Sequence, residues 1–132
     1  MSEVAQVLRD VYASMAELWC SPQDYNMEEV KGRASEAITG LEGMDKESAA
    51  LLSQFLEEPT PEEEYIELFE LEPQCPLYLG SHTYEEPKNC AQAAVSDRNG
   101  YMIELLGIYG HLELTPNGKE LPDYLPLMVE FL

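Results

Sequence analysis

The sequence ELPDYLPLMVEFL (residues 120–132) combines a proline-framed turn with an apolar stripe at helical spacing. The stripe predicts a helix that begins near Pro122 and is still running at Leu132. Asp123 falls in the first turn of that helix, where its carboxylate accepts backbone N–H bonds at the positive helix end. Such a stripe needs a partner, either the core of this chain or a second chain. The stripe consists of Leu125, Met128, Val129 and Leu132.

Helical spacing also dominates the remainder of the chain, and no segment alternates like a strand beyond four residues. We therefore predict an all-α bundle of about six helices, forming one domain over residues 1–132. Ser2 and Asp45 are expected to cap two helices, and Thr60, followed by Pro61 and Glu63, resembles a capping box for another. Gly100 marks a weak point or a kink in a long helix. The five predicted helices before the terminal one span residues 2–20 and 26–41, start at 45 and at 60, and span 88–109.

Composition limits the classes of partner. Seven Lys and Arg stand against 26 Asp and Glu, a net charge of -19, which disfavours nucleic acid and anionic membranes and favours a basic partner. No apolar run is long enough to span a membrane, and the amino terminus lacks the features of a secretory signal. Three cysteines without CxxC spacing favour a reducing cytoplasm over disulfides or a zinc site. No P-loop or GxGxxG motif is present, so no cofactor is predicted.

The proline-rich segment at residues 72–87 is predicted to be a long ordered loop, and such loops are often functional. His82 lies within it beside Ser81 and near Glu85, which raises the alternative of a small hydrolase that uses His82. Neighbouring side chains in an extended loop point apart, so we favour a structural His82 that hydrogen-bonds the loop to the bundle. The acidic runs around the loop fit either a solvated surface or an anionic wall for a basic peptide.

Three segments resemble a known family: YIELFEL from Tyr65, PLYLGSHTYEEPKNCAQA from Pro76, and the terminal ELPDYLPLMVEFL. They are similar to the redox-enzyme maturation chaperones, such as the nitrate reductase delta subunit and the chaperones of type II dimethyl sulfoxide reductase-like enzymes. The resemblance implies an all-helical cytoplasmic protein without catalytic activity. Its implied partner is the apo catalytic subunit of a molybdopterin oxidoreductase. The chaperone would bind the amino-terminal, twin-arginine region of that subunit until molybdenum cofactor and iron-sulfur clusters are inserted, before assembly or export.

The resemblance also implies a peptide-binding groove. The family signature near the end of the chain is proline-aspartate-histidine, whereas this chain has Pro122-Asp123-Tyr124, so a role for imidazole protonation does not carry over. Aromatic residues would supply contact area and the acids would supply charge. The implied peptide-binding residues are Tyr65, Phe69, Tyr78, His82, Tyr84, Glu85, Glu86, Asp123 and Tyr124.

Members of this family normally continue past the terminal motif. We therefore expect either a truncated chain or a domain completed by a second copy through exchange of the terminal helix, which gives a homodimer. A purely structural helical adaptor is the remaining alternative to the chaperone.

Overall fold

The computed structural model describes residues 2–85 and 88–132. Apart from an isolated antiparallel bridge between Tyr78 and Tyr124, these ranges contain no β-structure, so the predicted all-α class is confirmed. No helix in the described part of the chain is both long and apolar enough to cross a membrane. The helices are α1 (Glu3–Leu18), α2 (Met27–Glu42), α3 (Lys46–Glu57), α4 (Glu62–Phe69), a 3-10 helix (Leu79–His82), α5 (Cys90–Val95), α6 (Asp97–His111) and α7 (Leu125–Glu130).

Polar side chains cap the first three helices, and the sequence predicts two of these caps, Ser2 and Asp45. Ser2 accepts a hydrogen bond from the backbone N–H of Ala5, and Asp45 accepts from the N–H groups of Glu47 and Ser48. Asn26 caps α2 in the same manner. Each cap satisfies N–H groups that have no partner within the helix, so local chemistry fixes where these helices begin.

The apolar faces of α1, α2 and α3 form the main core, in which α2 packs between the other two helices. Val30 and Ala34 lie at its centre and are each 1% exposed. Small residues on α2 allow the helix axes to approach closely. The core consists of Val11, Leu18, Val30, Ala34, Ala37, Ile38, Leu41, Ala49 and Leu56.

The predicted capping box at the start of α4 is wrong. Pro61 has extended dihedral angles (φ -61°, ψ 152°) and is itself the N-cap, without a side-chain cap bond. Thr60 therefore lies one residue too early to reach the first-turn N–H groups. The acidic residues Glu62, Glu63 and Glu64 still occupy the first turn, where they complement the helix dipole.

The predicted helix over residues 88–109 is two helices, which is why the count rises from six to seven among the described residues. Ser96 separates them with an extended backbone (φ -74°, ψ 151°), and its hydroxyl accepts from the N–H of Asn99 at 3.1 Å. This side-chain bond offers the backbone an alternative to a continuous helix. Gly100 lies within α6, and a Cβ built there meets no described atom within 4 Å outside the helix's own backbone, so the expected close helix approach is absent among the described residues and the kink stays a prediction.

The terminal helix α7 begins at Leu125, three residues later than predicted, and ends at Glu130. Asp123 lies in a turn before this helix, and Tyr124 is extended (φ -64°, ψ 120°) and forms the bridge with Tyr78. The Leu79 N–H donates to the Asp123 carbonyl at 3.0 Å, and the Leu125 N–H donates to the Leu77 carbonyl at 2.7 Å. Asp123 therefore precedes the N-cap Tyr124, so the expected position of Asp123 in the first turn of the helix is wrong.

The apolar stripe of α7 packs on α1 of its own chain. Val129 is buried, while Leu125 and Met128 are half-buried, so the prediction that the stripe has a partner is confirmed for these three residues. Leu132 is 74% exposed and does not pack on this chain, so a partner for it stays a prediction.

Candidate functional site

An apolar cavity of about 220 Å³ opens where the ends of α1 and α3 meet α4, the 77–79 segment and α7. Its walls are largely aromatic and aliphatic, and such a cavity accepts a large apolar side chain. The lining residues are Leu18, Trp19, Pro22, Tyr25, Phe55, Pro59, Thr60, Tyr65, Phe69, Leu77 and Leu125.

Tyr65 holds one wall of the cavity in place. Its hydroxyl donates to the carbonyl oxygen of Trp19 at 2.9 Å, and its ring packs against Phe69 with centroids 4.9 Å apart. Tyr65 is 5% exposed, and burial raises the pKa of its hydroxyl. The predicted residues Tyr65 and Phe69 are therefore together, and both line the cavity.

Exposed carboxylates flank several of the residues that line the cavity and form what we call its rim. Glu58 precedes the lining residue Pro59, Asp24 lies between Pro22 and Tyr25, and the exposed acids of the first turn of α4 follow Thr60. The Glu62 carboxylate accepts a hydrogen bond from the Gln23 amide. The sequence holds no Lys or Arg between Lys46 and Lys88, so the segment that supplies most of this rim carries only negative charge. A cationic segment would be attracted to it.

Asp123 is completely buried, with 0% exposure, and it binds the chain's own backbone. One of its carboxylate oxygens, Oδ2, accepts from the N–H of Gly80 at 2.6 Å. A Cβ built at Gly80 would lie 2.6 Å from this oxygen, so only glycine leaves room for the carboxylate. Asp123 thus binds a backbone N–H of the 3-10 helix at Leu79–His82 across a separation of 43 residues. Its direct contact with a peptide stays a prediction.

Tyr124 and Tyr78 connect the contact between Asp123 and Gly80 to the cavity. They form the antiparallel bridge, and their ring centroids lie 5.3 Å apart. The hydroxyls of Tyr124 and Tyr65 lie 3.5 Å apart. Because the Tyr65 proton goes to the Trp19 carbonyl, Tyr124 donates in this pair. The hydroxyl of Tyr78 donates to the carboxylate of Glu120.

The phenols of this pair are held neutral. Burial raises the pKa of Tyr124, and the hydrogen bond to Tyr65 raises it further. Burial likewise raises the pKa of Tyr78, together with the adjacent Glu120 carboxylate. The position at which the family signature has histidine therefore carries a group that does not change charge near neutral pH, unlike an imidazole.

The remaining predicted residues lie in the loop toward α6. The Nε2 atom of His82 lies 2.8 Å from the carbonyl oxygen of Pro76, so the expected contact of His82 with the bundle is instead a contact within the loop. Tyr84 packs on Tyr101 of α6, with centroids 5.5 Å apart. Glu85 is exposed. Glu86 lies outside the described residues.

Two of the nine predicted residues, Tyr65 and Phe69, line the cavity, and Asp123, Tyr124 and Tyr78 form the junction beside it. Sequence reasoning missed the opposite wall, which the amino-terminal half supplies. One feature of the sequence could have indicated this wall. In WCSPQDY (residues 19–25), aromatic residues stand on both sides of a proline that ends a helix. The missed lining residues include Trp19, Pro22, Tyr25 and Phe55.

Comparison with known proteins gives two curated relatives and no matching family model. Both relatives are described as the nitrate reductase molybdenum cofactor assembly chaperone NarJ, one from Escherichia coli strain K12 and one from Escherichia coli O157:H7. Each is 34% identical over 103 residues, which cover 74% of this chain and 40% of the relative. This similarity supports membership of the family of molybdoenzyme assembly chaperones.

The resemblance found in the sequence motifs is thereby confirmed. The chain spans about 40% of the length of the curated relatives it matches.

Proposed function

We propose that this protein is an assembly chaperone of a molybdopterin oxidoreductase and binds the amino-terminal segment of the apo catalytic subunit in the aromatic cavity. The observation that supports the proposal most directly is the cavity itself, an apolar pocket bordered by carboxylates. The matched relatives are described as molybdenum cofactor assembly chaperones for nitrate reductase, which points to a client of the same class.

Each part of the site would recognise a different feature of the client segment. Trp19, Tyr25, Phe55 and Phe69 would bury an apolar anchor side chain, the main source of affinity in a helix-in-groove complex. The negative rim would attract basic residues beside the anchor, as in a twin-arginine segment, and would raise the association rate. A basic and partly apolar amino terminus satisfies both requirements.

Binding at this site would keep the client subunit from assembly or export until its molybdenum cofactor and iron-sulfur clusters are inserted. The chaperone would act in the cytoplasm, where the client is made. In this proposal the protein contributes no catalytic group. His82 and Ser81 each contact another group, the Pro76 carbonyl and the Arg98 guanidinium respectively, in place of one another.

The test is calorimetric titration of the full chain with the amino-terminal peptide of the reductase catalytic subunit. We expect saturable binding that weakens as salt is added, because the rim charges are exposed and screened. A peptide in which the arginines are replaced by glutamine is expected to bind more weakly at low salt and about equally at high salt. Absence of binding, or binding that salt leaves unchanged, contradicts the proposal.

Variants in which glutamates are replaced by glutamine test which part of the surface attracts the basic peptide. Replacement of Glu62, Glu63 and Glu64 by glutamine removes rim charge, and replacement of Glu28, Glu29 and Glu42 on α2 removes the same charge elsewhere. We expect the first triple variant to lose more affinity than the second. Equal losses would show that only the net charge matters and would contradict a site at the cavity.

Co-purification of a molybdopterin enzyme subunit from the host would identify the client.

A further inference from the structure

Asp123 is enclosed by its own chain and lies out of reach of a peptide that occupies the cavity. The side chain is 0% exposed, and its Oδ1 atom has no hydrogen-bond partner among the residues that the structure describes. Its Oδ2 atom accepts from the N–H of Gly80 at 2.6 Å. Asp123 is also absent from the residues that line the cavity. A direct contact with a client would therefore require the segment at Gly80 to move away.

Gly80 is held from two sides. A Cβ built at Gly80 would lie 2.6 Å from the Asp123 carboxylate and 3.4 Å from the Nε atom of Arg98. The Arg98 guanidinium also donates to the Ser81 hydroxyl at 3.2 Å. Arg98 belongs to α6 and Asp123 precedes α7, so side chains from two separate parts of the chain fix the position of the 3-10 helix.

The contact that Asp123 makes is continuous with one wall of the cavity. Leu77 and Leu125 both line the cavity. The Leu125 N–H donates to the Leu77 carbonyl at 2.7 Å, and the Leu79 N–H donates to the Asp123 carbonyl at 3.0 Å. Together with the carboxylate bond at Gly80, these are three consecutive links between the same two segments. The two leucines of the wall therefore keep their places through this contact.

We infer that Asp123 is a positioning residue for client binding: its carboxylate holds Leu77 and Leu125 in the cavity wall and makes no contact with the client. A wall that is already in place favours binding, because ordering it during association costs affinity. The affinity therefore depends on the oxygen that accepts from Gly80 and not on the negative charge of Asp123. This role rests on the proposed function, since the client occupies the same cavity.

The experiment is calorimetric titration of the full chain and its variants with the amino-terminal peptide of the reductase catalytic subunit. Asp123→Ala removes the acceptor, and Gly80→Ala places a methyl group where the carboxylate lies. Each should lower the affinity at least about tenfold, because the wall is then ordered only on binding. Asp123→Asn keeps a carbonyl oxygen for the Gly80 N–H and should bind like the parent. A loss in Asp123→Asn as large as in Asp123→Ala would show that the charge acts on the client and overturns the inference.

Two further variants separate positioning from a general loss of stability. Asp45→Ala also removes a carboxylate that accepts backbone N–H bonds, at the start of α3, and it should bind like the parent. The double variant Asp123→Ala with Gly80→Ala should bind no worse than Asp123→Ala, because the new methyl group then meets nothing closer than Arg98 Nε at 3.4 Å. Losses that add in the double variant contradict the positioning role, and so does a loss in Asp45→Ala equal to that in Asp123→Ala.

Trp19 reports the position of the wall without any client. It is the only tryptophan in the sequence, and it lines the cavity together with Leu77 and Leu125. Asp123→Ala and Gly80→Ala should shift its emission to longer wavelength and increase its quenching by acrylamide, because water enters as the wall loosens. Asp123→Asn should leave both unchanged, and unchanged emission in both alanine variants overturns the inference. If the shifts appear but the parent chain binds no peptide, the wall is positioned as inferred and the proposed client is wrong.

Discussion

The three amino-terminal helices and the region from α4 onward bury their side chains by different means. The core of α1, α2 and α3 is built from aliphatic residues and alanine, with Val30 and Ala34 almost fully enclosed. The later region buries three tyrosines, Tyr65, Tyr109 and Tyr124, and one aspartate. The hydroxyls of Tyr65 and Tyr109 and the carboxylate bind backbone groups far apart in sequence. It also leaves several large apolar side chains exposed, among them Ile103 and Leu106.

The stability of the two regions therefore depends on different interactions. An aliphatic core contributes stability that depends on close packing alone. A region held by specific hydrogen bonds depends on each donor and acceptor keeping its partner, since an unpaired buried group is costly. The candidate cavity lies at the boundary, so the first region supplies a firm wall through Phe55 and Trp19, and the second supplies a wall fixed by Tyr65.

Truncation within the aliphatic core should produce the largest loss of stability. Ile38→Ala leaves a cavity at a side chain that is 7% exposed, and we expect the free energy of unfolding to fall by about 2–5 kcal/mol. Leu51→Ala, at an exposed side chain of α3, is the control and should change the free energy of unfolding by less than about 0.5 kcal/mol. Urea denaturation measures both. A loss below about 1 kcal/mol for Ile38→Ala would show that the first region is not tightly packed.

The buried aspartate should carry the next largest effect. Gly80→Ala places a methyl group 2.6 Å from the Asp123 carboxylate and displaces it, and Asp123→Ala leaves the Gly80 N–H without its acceptor. Each should cost about 1–3 kcal/mol. Amide exchange should rise in residues 77–82 and 121–125 and stay unchanged in α2. Uniform loss of protection through α2 would mean that the two regions unfold as one unit.

The tyrosines make the later region sensitive to alkaline pH. The pKa of Tyr124 and of Tyr78 is raised above the ordinary value of 10.0, so both phenols are neutral in the folded protein when they would ionise in the unfolded chain. Their contribution to the free energy of unfolding is complete below pH 10. It is lost as the pH rises further, because ionisation then favours the unfolded state.

Absorbance of tyrosinate measures this transition, with helical circular dichroism recorded in parallel. We expect tyrosine ionisation delayed beyond pH 10 and coupled to loss of structure in the later region. Tyr124→Phe should cost about 1 kcal/mol at neutral pH through its lost hydrogen bond, and it should move the alkaline transition upward. Free titration of all tyrosines near their ordinary pKa would contradict the buried arrangement.

The smallest expected effect has the opposite sign. Gly32 lies within α2, and a Cβ built there has no neighbour within 4 Å among the described residues outside the helix backbone. Gly32→Ala should therefore stabilise the first region by about 0.5–1 kcal/mol. Thermal unfolding compares it with Gly80→Ala, the same substitution with the opposite expected sign. Destabilisation by Gly32→Ala would indicate that α2 has an additional neighbour.

The sequence predicted what short-range chemistry determines. Ser2 and Asp45 cap helices because a polar side chain and an N–H group three residues later suffice. The errors at Thr60, Ser96 and Asp123 arise where another interaction competes with the local signal. Asp123 lies in a turn whose backbone pairs with residues 77–79, and its carboxylate binds Gly80, 43 residues away. No spacing in the sequence specifies such a contact.

The candidate site was predicted in part for the same reason. Tyr65 and Phe69 follow from a local motif, and they line the cavity. Trp19 and Phe55 come from helix ends that become neighbours only when α1, α3 and α4 pack together, so their helical spacing predicted burial without indicating a shared cavity.

The central claim is that the cavity, and not merely the acidic surface, binds the client segment. Thr60 lines the cavity and makes no helix cap, so Thr60→Trp fills the cavity while leaving every rim carboxylate in place. Calorimetric titration with the reductase amino-terminal peptide should show at least about a tenfold loss of affinity for Thr60→Trp. The affinity should change little for the control Leu51→Trp, at an exposed side chain of α3. Equal affinity of Thr60→Trp and the parent chain would contradict the account.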